Sequence, residues 1–308
     1  MIQALLVLVT HRFFFYGWPR AVLTLVGDAV HMKIKFPVSL KVRAGQHINL
    51  WMPGISLRSS LQSHPFVVTS ATRDDSGTSL ELIIEPRHGW TANVLSVARN
   101  TGSRDAQAAP HEFITLFGGP YGASTNLSAF GVVVMVASGW GVIAQVPLLQ
   151  NLINQARSST SQVRHIHLIW QVDSAAAGIS VQSLLNRALS IDTTDHGFIL
   201  SISIYDANRL ADAEDFRFGK RAILYADSPN YEDLIYHDVE SPVGMLNPRW
   251  DPATRADAEM SAFGMEDCLK MVIVSASSDI RHRIKNIVRS RCSSGLHLVE
   301  LDYQPCEG

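Results

Sequence analysis

The sequence is short of several things, and each shortage removes a class of protein. Its 308 residues include only three cysteines, Cys268, Cys292 and Cys306, widely spaced, odd in number and without a CxxC pair. Neither a disulfide framework nor a zinc site is indicated, and a reducing compartment fits best. Charge of one sign is not in excess: 26 Lys+Arg against 28 Asp+Glu give a net charge of -2. That leaves no basic footprint for nucleic acid, and no nucleic-acid partner is expected. No apolar run reaches the ~20 residues that a bilayer-spanning helix needs. The nearest approach, Ile2 to Thr10, has no basic region before it and no small-residue cleavage pattern after it. It reads as a first strand or as the tail of a spanning helix whose start lies elsewhere, and the aromatic Phe13 to Trp18 that follows would suit a membrane interface. Internal repeats and low-complexity tracts are lacking as well.

What is present describes a folded chain: 46% hydrophobic and 18% charged residues. At ~100–200 residues per domain, its length suggests two domains. From about residue 20 to 118 the signals are short and β-like. Ala21 to Val26 and Val30 to Phe36 read as strands joined by a Gly27-Asp28 hairpin turn, followed by strands at His47 to Met52, Pro65 to Ser70 and Leu80 to Glu85. The polar Arg73 to Thr78 reads as a connection, and Thr91 to Val97 as the one helical pattern. This spacing predicts a small antiparallel barrel ending near Pro120 to Gly122.

After residue 125 the grammar changes. Strands expected at 132–137, 165–172, 198–205, 221–225 and 271–275 alternate with helices near 143–155, 180–190, 230–236 and 280–290, which predicts a doubly wound parallel sheet. Residues 206–220 and 236–267 read as polar loops. The centre of this half is Val132 to Val142. An apolar strand empties into a turn carrying Gly139 and Gly141, and a helix follows with Val142, Val146, Leu149 and Ile153 near one face. Strand, glycine turn and helix point backbone N–H groups and the positive end of a helix at a phosphate, although a plain tight turn in an α/β domain has the same outline.

Other stretches carry chemistry. Ser63 to Ala71 is a strand bearing a histidine, a proline, an aromatic and hydroxyls, either a barrel strand with incidental polar ends or one that offers edge donors and a flat face to a planar ligand. Glu85 to Leu95 places Arg87, Gly89 and Thr91 at a helix start, either a diphosphate cradle or a capped short helix. Gly118 to Gly122 is turn chemistry. Asp173, directly after a strand, stands where an acid binds a ribose hydroxyl, which leans toward NADH. His165 and His167 share a strand face, but no third metal ligand lies near them in sequence, and a structural role is expected; no metal site is assigned. Arg281 to Arg291 is basic, yet Ile280, Ile284, Ile287 and Val288 form an apolar face, so the charges read as the solvated side of the last helix.

In this order the pieces resemble a known family. His64-Pro65-Phe66 with Thr69 and Ser70, Arg87 with Gly89-Trp90-Thr91, Gly119-Pro120-Tyr121-Gly122, and the strand into Ser138-Gly139-Trp140-Gly141 look like the cytosolic flavin and nicotinamide module of the ferric reductase and NADPH oxidase family, part of the ferredoxin-reductase-like superfamily. The resemblance is nearest to fungal ferric-chelate reductases, includes Arg43 to Gly54, His167 to Val172 and Leu301 to Pro305, and covers residues 12 to 308.

The resemblance implies an apolar and aromatic segment at 1–18, an FAD-binding barrel at 19–124 and an NAD(P)-binding α/β domain at 125–308. His64, Pro65 and Phe66, with Val67, Thr69 and Ser70 beyond them, would line the flavin. Arg87, Gly89, Trp90 and Thr91 would hold the FAD diphosphate, and Gly119, Pro120, Tyr121 and Gly122 would mark the junction. Ser138, Gly139, Trp140, Gly141 and Val142 would receive the diphosphate of NAD(P)H. Electrons would pass from NAD(P)H through FAD to a ferric chelate, another small acceptor or a haem-containing membrane partner, with the protein at the cytoplasmic side of a membrane or in the cytoplasm.

Three residues depart from the family pattern. Val67 replaces a Ser or Thr whose hydroxyl reaches the flavin. Trp140 occupies a turn position where small or aliphatic residues are usual. Ser275 matches a cysteine beside the nicotinamide, and as the candidate catalytic residue it offers a hydroxyl far less polarizable than sulfur. Two alternatives follow: a cofactor-binding or interaction protein with impaired turnover, and a truncated cytosolic part of a haem-containing transmembrane reductase.

Overall fold

The computed structural model describes residues 17–55, 63–75, 77–102, 111–122, 125–193, 198–207, 218–240, 268–290 and 295–303. The segment at 1–16, Arg291, Cys292, Cys306, and most of the loops expected at 206–220 and 236–267 lie outside them. The chain divides into two compact units, one running to residue 124 and including Tyr303, the other Thr125–Asp302.

The first unit holds β1 (Arg20–Val26), β2 (Ala29–Phe36), β3 (His47–Trp51), β4 (His64–Val67), β5 (Ser70–Asp74), β6 (Gly77–Ile84), α1 (Trp90–Gly102), β7 (Glu112–Ile114) and β8 (Leu116–Tyr121). Its strands form two antiparallel sheets, β5-β6-β2-β1-β7 and β4-β3-β8, a barrel-like arrangement as the alternating pattern predicts. Met32, Ile34 and Phe36 on β2, Leu80, Leu82 and Ile84 on β6, and Ile48 and Leu50 on β3 turn one face inward at the strand period of two, and Val94 and Ala98 of α1 join the same core.

One expectation changes here. Pro65 to Ser70 is not one strand: β4 ends at Val67, and Ser70 opens β5, which pairs with β6 in the other sheet. The polar Arg73 and Asp74, expected in a connection, belong to β5. An edge strand exposed along most of its length carries no apolar alternation to betray it. Tyr303, near the end of the chain, packs in this unit; its hydroxyl donates to Ile83 O at 2.9 Å and accepts from the Glu85 N–H at 3.0 Å.

The second unit contains β9 (Phe130–Ser138), a 3-10 turn at Gly139–Gly141, α2 (Val142–Arg157), β10 (His165–Gln171), α3 (Ala175–Ile191), β11 (Leu200–Tyr205), β12 (Ala222–Tyr225), α4 (Tyr231–Glu240), β13 (Leu269–Ser275), α5 (Ser278–Ser290) and β14 (Leu296–Glu300). All six strands are parallel, in the order β12-β11-β10-β9-β13-β14. Val132 to Ala137 of β9 are fully buried on both faces, which is why this strand reads as a continuous apolar run. Each such valine contributes ~1.5–3 kcal/mol relative to exposure. Val132, Val134 and Val136 face α4 and α5, where Ile235, Val239, Ile284, Ile287 and Val288 complete the core. Among the described residues no helix is long and apolar enough to cross a membrane.

A buried ion pair anchors the outer strands. Arg221 donates to the Asp192 carboxylate, to Leu189 O, and to Leu200 O at 3.2 Å, and its guanidinium lies 4.1 Å from the centre of the Phe198 ring. Asp192 also accepts from the Ile199 and Leu200 N–H groups at 3.3 and 3.0 Å. Removing one partner of such a pair leaves an uncompensated buried charge. Arg221→Met is therefore expected to lower stability by ~3–5 kcal/mol in urea denaturation. Adding Asp192→Asn to that variant should recover part of the loss; equal stability of Arg221→Met and the unaltered chain would contradict the assignment.

Candidate functional site

In the first unit, sheet β4-β3-β8 brings two of the singled-out stretches to either side of one strand. Asn49 pairs with Pro65 on one side and Gly118 on the other, and His47 pairs with Val67 and Tyr121. Paired residues share a face, so His47, Asn49, Pro65, Val67 and Tyr121 lie together. Tyr121 is 46% exposed there, with its ring 5.9 Å from that of His47. Burial lowers the His47 pKa below its ordinary value, favouring the neutral ring.

The opposite face of the same sheet is core, and it takes residues expected at the flavin. Phe66 is buried among Ile48, Leu50 and Phe117, and the His64 ring stacks on Trp90 at 4.6 Å and 17°. Strand alternation thus separates Pro65 and Val67 from His64 and Phe66. The Thr69 hydroxyl donates to Glu81 O at 2.7 Å, and Ser70 begins β5. His47 and Asn49 were missed as candidates, although their alternation in His47 to Trp51 placed them on the face away from Ile48 and Leu50.

At the start of α1, Gly89 adopts φ +70, and a Cβ there would meet nothing within 4 Å, so the backbone is open to a ligand. No acidic side chain sits in the first turn of α1 to offset its positive end. The Thr91 hydroxyl accepts from the Arg87 N–H at 2.8 Å and shapes this loop, while the Arg87 guanidinium pairs with Glu85 at 2.7 Å. These features suit a diphosphate, which would draw Arg87 from Glu85.

In the second unit the chain runs from β9 outward to β12, then returns to the other side of β9 as β13. The order reverses between β9 and β13, the place where open parallel sheets bind ligands beyond their carboxyl ends. Ser138 to Gly141 follows β9 and Ser275 closes β13, so the expected nucleotide residues meet there. The Ser277 N–H donates to Ser138 Oγ at 2.8 Å. A Cβ on Gly141 would stand 2.0 Å from Ser275 O, so the turn closes only because that atom is missing. No side chain caps the first turn of α2, which starts at Val142. Trp140 is half-buried within the turn. The buried Ser275 Oγ has no hydrogen-bond partner among the described residues, which fits a polar group supplied by a ligand.

Two residues on β10 and just beyond it support the turn. The fully buried Trp170 donates from Nε1 to Gly139 O at 2.9 Å. The Asp173 carboxylate packs so closely on Gly139 that a Cβ there would lie 2.0 Å from Oδ2. Burial raises the Asp173 pKa against the opposing effect of its backbone hydrogen bond. A carboxylate beside the turn repels a second anion but accepts well from a hydroxyl.

The pair His165 and His167 has an acidic neighbour that is distant in sequence. Asp238 of α4, fully buried, lies with both within 4.8 Å. The His167 Nδ1–H donates to the Asp238 oxygens at 2.9 and 2.8 Å, and its Nε2 accepts from Ser203 Oγ at 2.8 Å. Burial pushes the Asp238 carboxyl up, but the two imidazoles beside it hold it below the ordinary carboxylate value. Ser203, His167 and Asp238 have the order of a hydrolase relay, yet the burial of all three denies a substrate access to the hydroxyl. On the last helix, Arg281 pairs with Asp302 at 2.7 Å and Lys285 with Glu300 at 3.1 Å, while Ile284, Ile287 and Val288 face the core, as the amphipathic pattern predicts.

Comparison with known proteins agrees with this geometry. Residues 18–125 match the FAD-binding domain family. The chain is 31% identical over 166 residues to a probable cell surface ferric reductase of Aspergillus oryzae, covering 51% of this chain and 20% of that protein. It is 29% identical over 141 residues to ferric reductase transmembrane component 3 of Saccharomyces cerevisiae, covering 42% of this chain and 17% of that protein. The chain thus spans about a fifth of the length of these curated relatives. Among solved structures, a ferredoxin NADP+ reductase from Neisseria gonorrhoeae with bound FAD and NADP aligns with TM-score 0.52 at 12% identity, covering 91% of this chain and 97% of that one. An Amycolatopsis cytochrome P450 reductase aligns with TM-score 0.51 at 18% identity, covering 92% and 69% respectively. These two likenesses establish the ferredoxin-reductase-like fold.

The contact of Gly141 with Ser275 generates a direct test. Gly141→Ala is expected to cost ~1–3 kcal/mol in stability through overpacking and to weaken nicotinamide nucleotide binding at least tenfold. Unchanged stability and affinity, by thermal melting and nucleotide titration, would show that the close approach is not required.

Proposed function

We propose that this chain, which carries the flavin- and nicotinamide-binding module of the ferric reductase and NADPH oxidase family, is an FAD-dependent NAD(P)H oxidoreductase that delivers electrons to ferric iron, haem or another one-electron acceptor. The observation that carries this reading is the meeting of Ser138 to Gly141 with Ser275 where the strand order reverses, in a chain whose other unit matches an FAD-binding domain. The first unit takes FAD and the second takes NAD(P)H. A bound FAD would supply the chemistry that joins a two-electron hydride donor to a one-electron acceptor.

Each set of residues has a defined task. The face bearing His47, Asn49, Pro65, Val67 and Tyr121 receives the flavin ring, with Tyr121 offering a flat aromatic surface. His64 and Phe66 act from the core side, His64 by stacking on Trp90 and so fixing the start of α1. Gly89, Trp90, Thr91 and Arg87 hold the FAD diphosphate, and Gly119, Pro120 and Gly122 set the course of β8 beside β3. Ser70 and Thr69 fix the departure of the chain into β5. Ser138, Gly139, Trp140, Gly141 and Val142 hold the nicotinamide nucleotide, and Asp173 accepts from a ribose hydroxyl. Ser275 donates its buried hydroxyl proton to the carboxamide or orients the ring; its low polarizability favours transfer less than sulfur would. The relatives, a probable cell surface ferric reductase and a ferric reductase transmembrane component, support a ferric chelate or a haem-containing membrane partner as the acceptor.

Steady-state turnover tests the proposal. FAD-loaded full chain should oxidise NADH or NADPH with ferric-EDTA as acceptor, and lose that activity when the flavin is stripped. Ser275→Cys should raise turnover about tenfold, equal to ~1.4 kcal/mol off the barrier. An FAD-loaded chain that reduces no ferric chelate with either nucleotide would overturn the proposed acceptor class.

A further inference from the structure

We propose that His165, His167 and Asp238 form a divalent transition-metal site, of the zinc type, at the amino edge of the parallel sheet. The donor set is two imidazoles and one carboxylate, and its three ligand atoms already converge within 4.8 Å. Around a tetrahedral zinc with bonds of ~2.0–2.2 Å, ligand atoms stand about 3.4 Å apart. His165 Nε2 lies 3.6 Å from Asp238 Oδ1, already at that spacing. His167 Nδ1 lies 2.9 Å from the same oxygen and needs to withdraw by roughly half an ångström to reach the same ~3.4 Å spacing.

The polar accounting favours a cation over a purely structural cluster. A buried carboxylate has about four lone-pair sites, and the single Nδ1–H of His167 spans both of its oxygens. Among the described residues the buried Nε2 of His165 has no hydrogen-bond partner, and 3.6 Å is beyond hydrogen-bond reach of Oδ1. A metal ion among the three engages that nitrogen, the carboxylate and His167 together, and its charge offsets the buried anion. Ser203 Oγ, 2.8 Å from His167 Nε2, then accepts from the Nε2–H and fixes the ring with Nδ1 toward the metal, the outer hydrogen bond that metal-bound histidines habitually make. Three protein ligands leave a fourth position for water or an added anion. Nitrogen and oxygen donors of this type suit zinc, and also cobalt or nickel as probes.

The position sets the role. His165 pairs with Val132 near the start of β9, whereas Gln171 pairs with Ser138 beside the nucleotide turn. At ~3.3 Å per residue, His165 lies about 20 Å and His167 about 13 Å from that turn along β10. A metal here takes no part in electron transfer; it pins α4 to β10 through Asp238 and makes the stability of the second unit depend on metal.

The test uses the full chain, stripped with chelator and dialysed against zinc sulfate, with bound metal read by elemental analysis and a parallel cobalt sample read by visible absorption. The expected result is one equivalent of zinc, a four-coordinate cobalt spectrum without thiolate bands, and a higher melting temperature with zinc. His165→Gln removes a nitrogen without a hydrogen-bond partner among the described residues, so it should fold and melt as the unaltered chain does without metal, yet bind zinc ten- to a hundredfold more weakly. Asp238→Asn should lose binding as well, and Cys268→Ser should retain it. Failure of the unaltered chain to retain zinc, or equal retention by His165→Gln, would overturn the proposal.

Discussion

The contact of Gly141 with the backbone of Ser275 is the constraint on which the second unit depends. β9 and β13 are neighbours only because the chain reverses its strand order between them, and the turn leaving β9 must pass directly over the end of β13. With a Cβ 2.0 Å from Ser275 O, that passage closes only for glycine. Gln145, on the first turns of α2, reinforces it by donating to Val136 O at 2.7 Å and Ile273 O at 3.3 Å, tying the helix to both strands. Trp170 holds the turn from the other side through Gly139 O. The carboxyl end of β9 and β13 is therefore held by packing and hydrogen bonding within the chain itself, the preorganisation that the proposed hydride-transfer site needs.

Much of this was legible because the physics is local. β9 announces itself by an apolar run that only a strand buried on both faces requires, and the glycine turn by its sequence. What escaped depends on long-range pairing. β5, β7 and β14 are short or edge elements with weak patterns, and polar residues such as Arg73 and Asp74 read as a turn until β6 is seen beside them. Asp238 lies 71 residues from His167 in sequence, so no spacing rule could join them. Along β4, the motif His64-Pro65-Phe66 was read as a block. The period of two divides it between an open face and the core, and it assigns His47 and Asn49 from β3 to the open one.

The three departures from the family pattern now have distinct weights. Val67 sits on the open face of its sheet and is buried, so it contributes shape there but no hydrogen bond. Trp140 is only half-buried, and its carbonyl accepts the Val142 N–H within the turn, so the bulky side chain has not broken the turn geometry. Ser275 is the sharper case: its hydroxyl is buried and unpartnered among the described residues, a group that costs ~1–3 kcal/mol to leave unsatisfied and that a bound ligand would relieve. The same sheet carries the two proposed sites at opposite ends of its strands, the nucleotide turn at the carboxyl ends and the histidine–aspartate cluster at the amino ends.

In the proposed reaction one chain passes electrons from a nicotinamide to its own flavin. Anaerobic mixing of the FAD-loaded chain with excess NADH, and separately NADPH, in a stopped-flow spectrometer and with no acceptor present, tests it most directly. The account predicts loss of the oxidised flavin absorbance with at least one nucleotide, faster with NADH because Asp173 stands beside the turn. Flavin that stays oxidised with both would contradict it and leave a cofactor-binding protein without turnover.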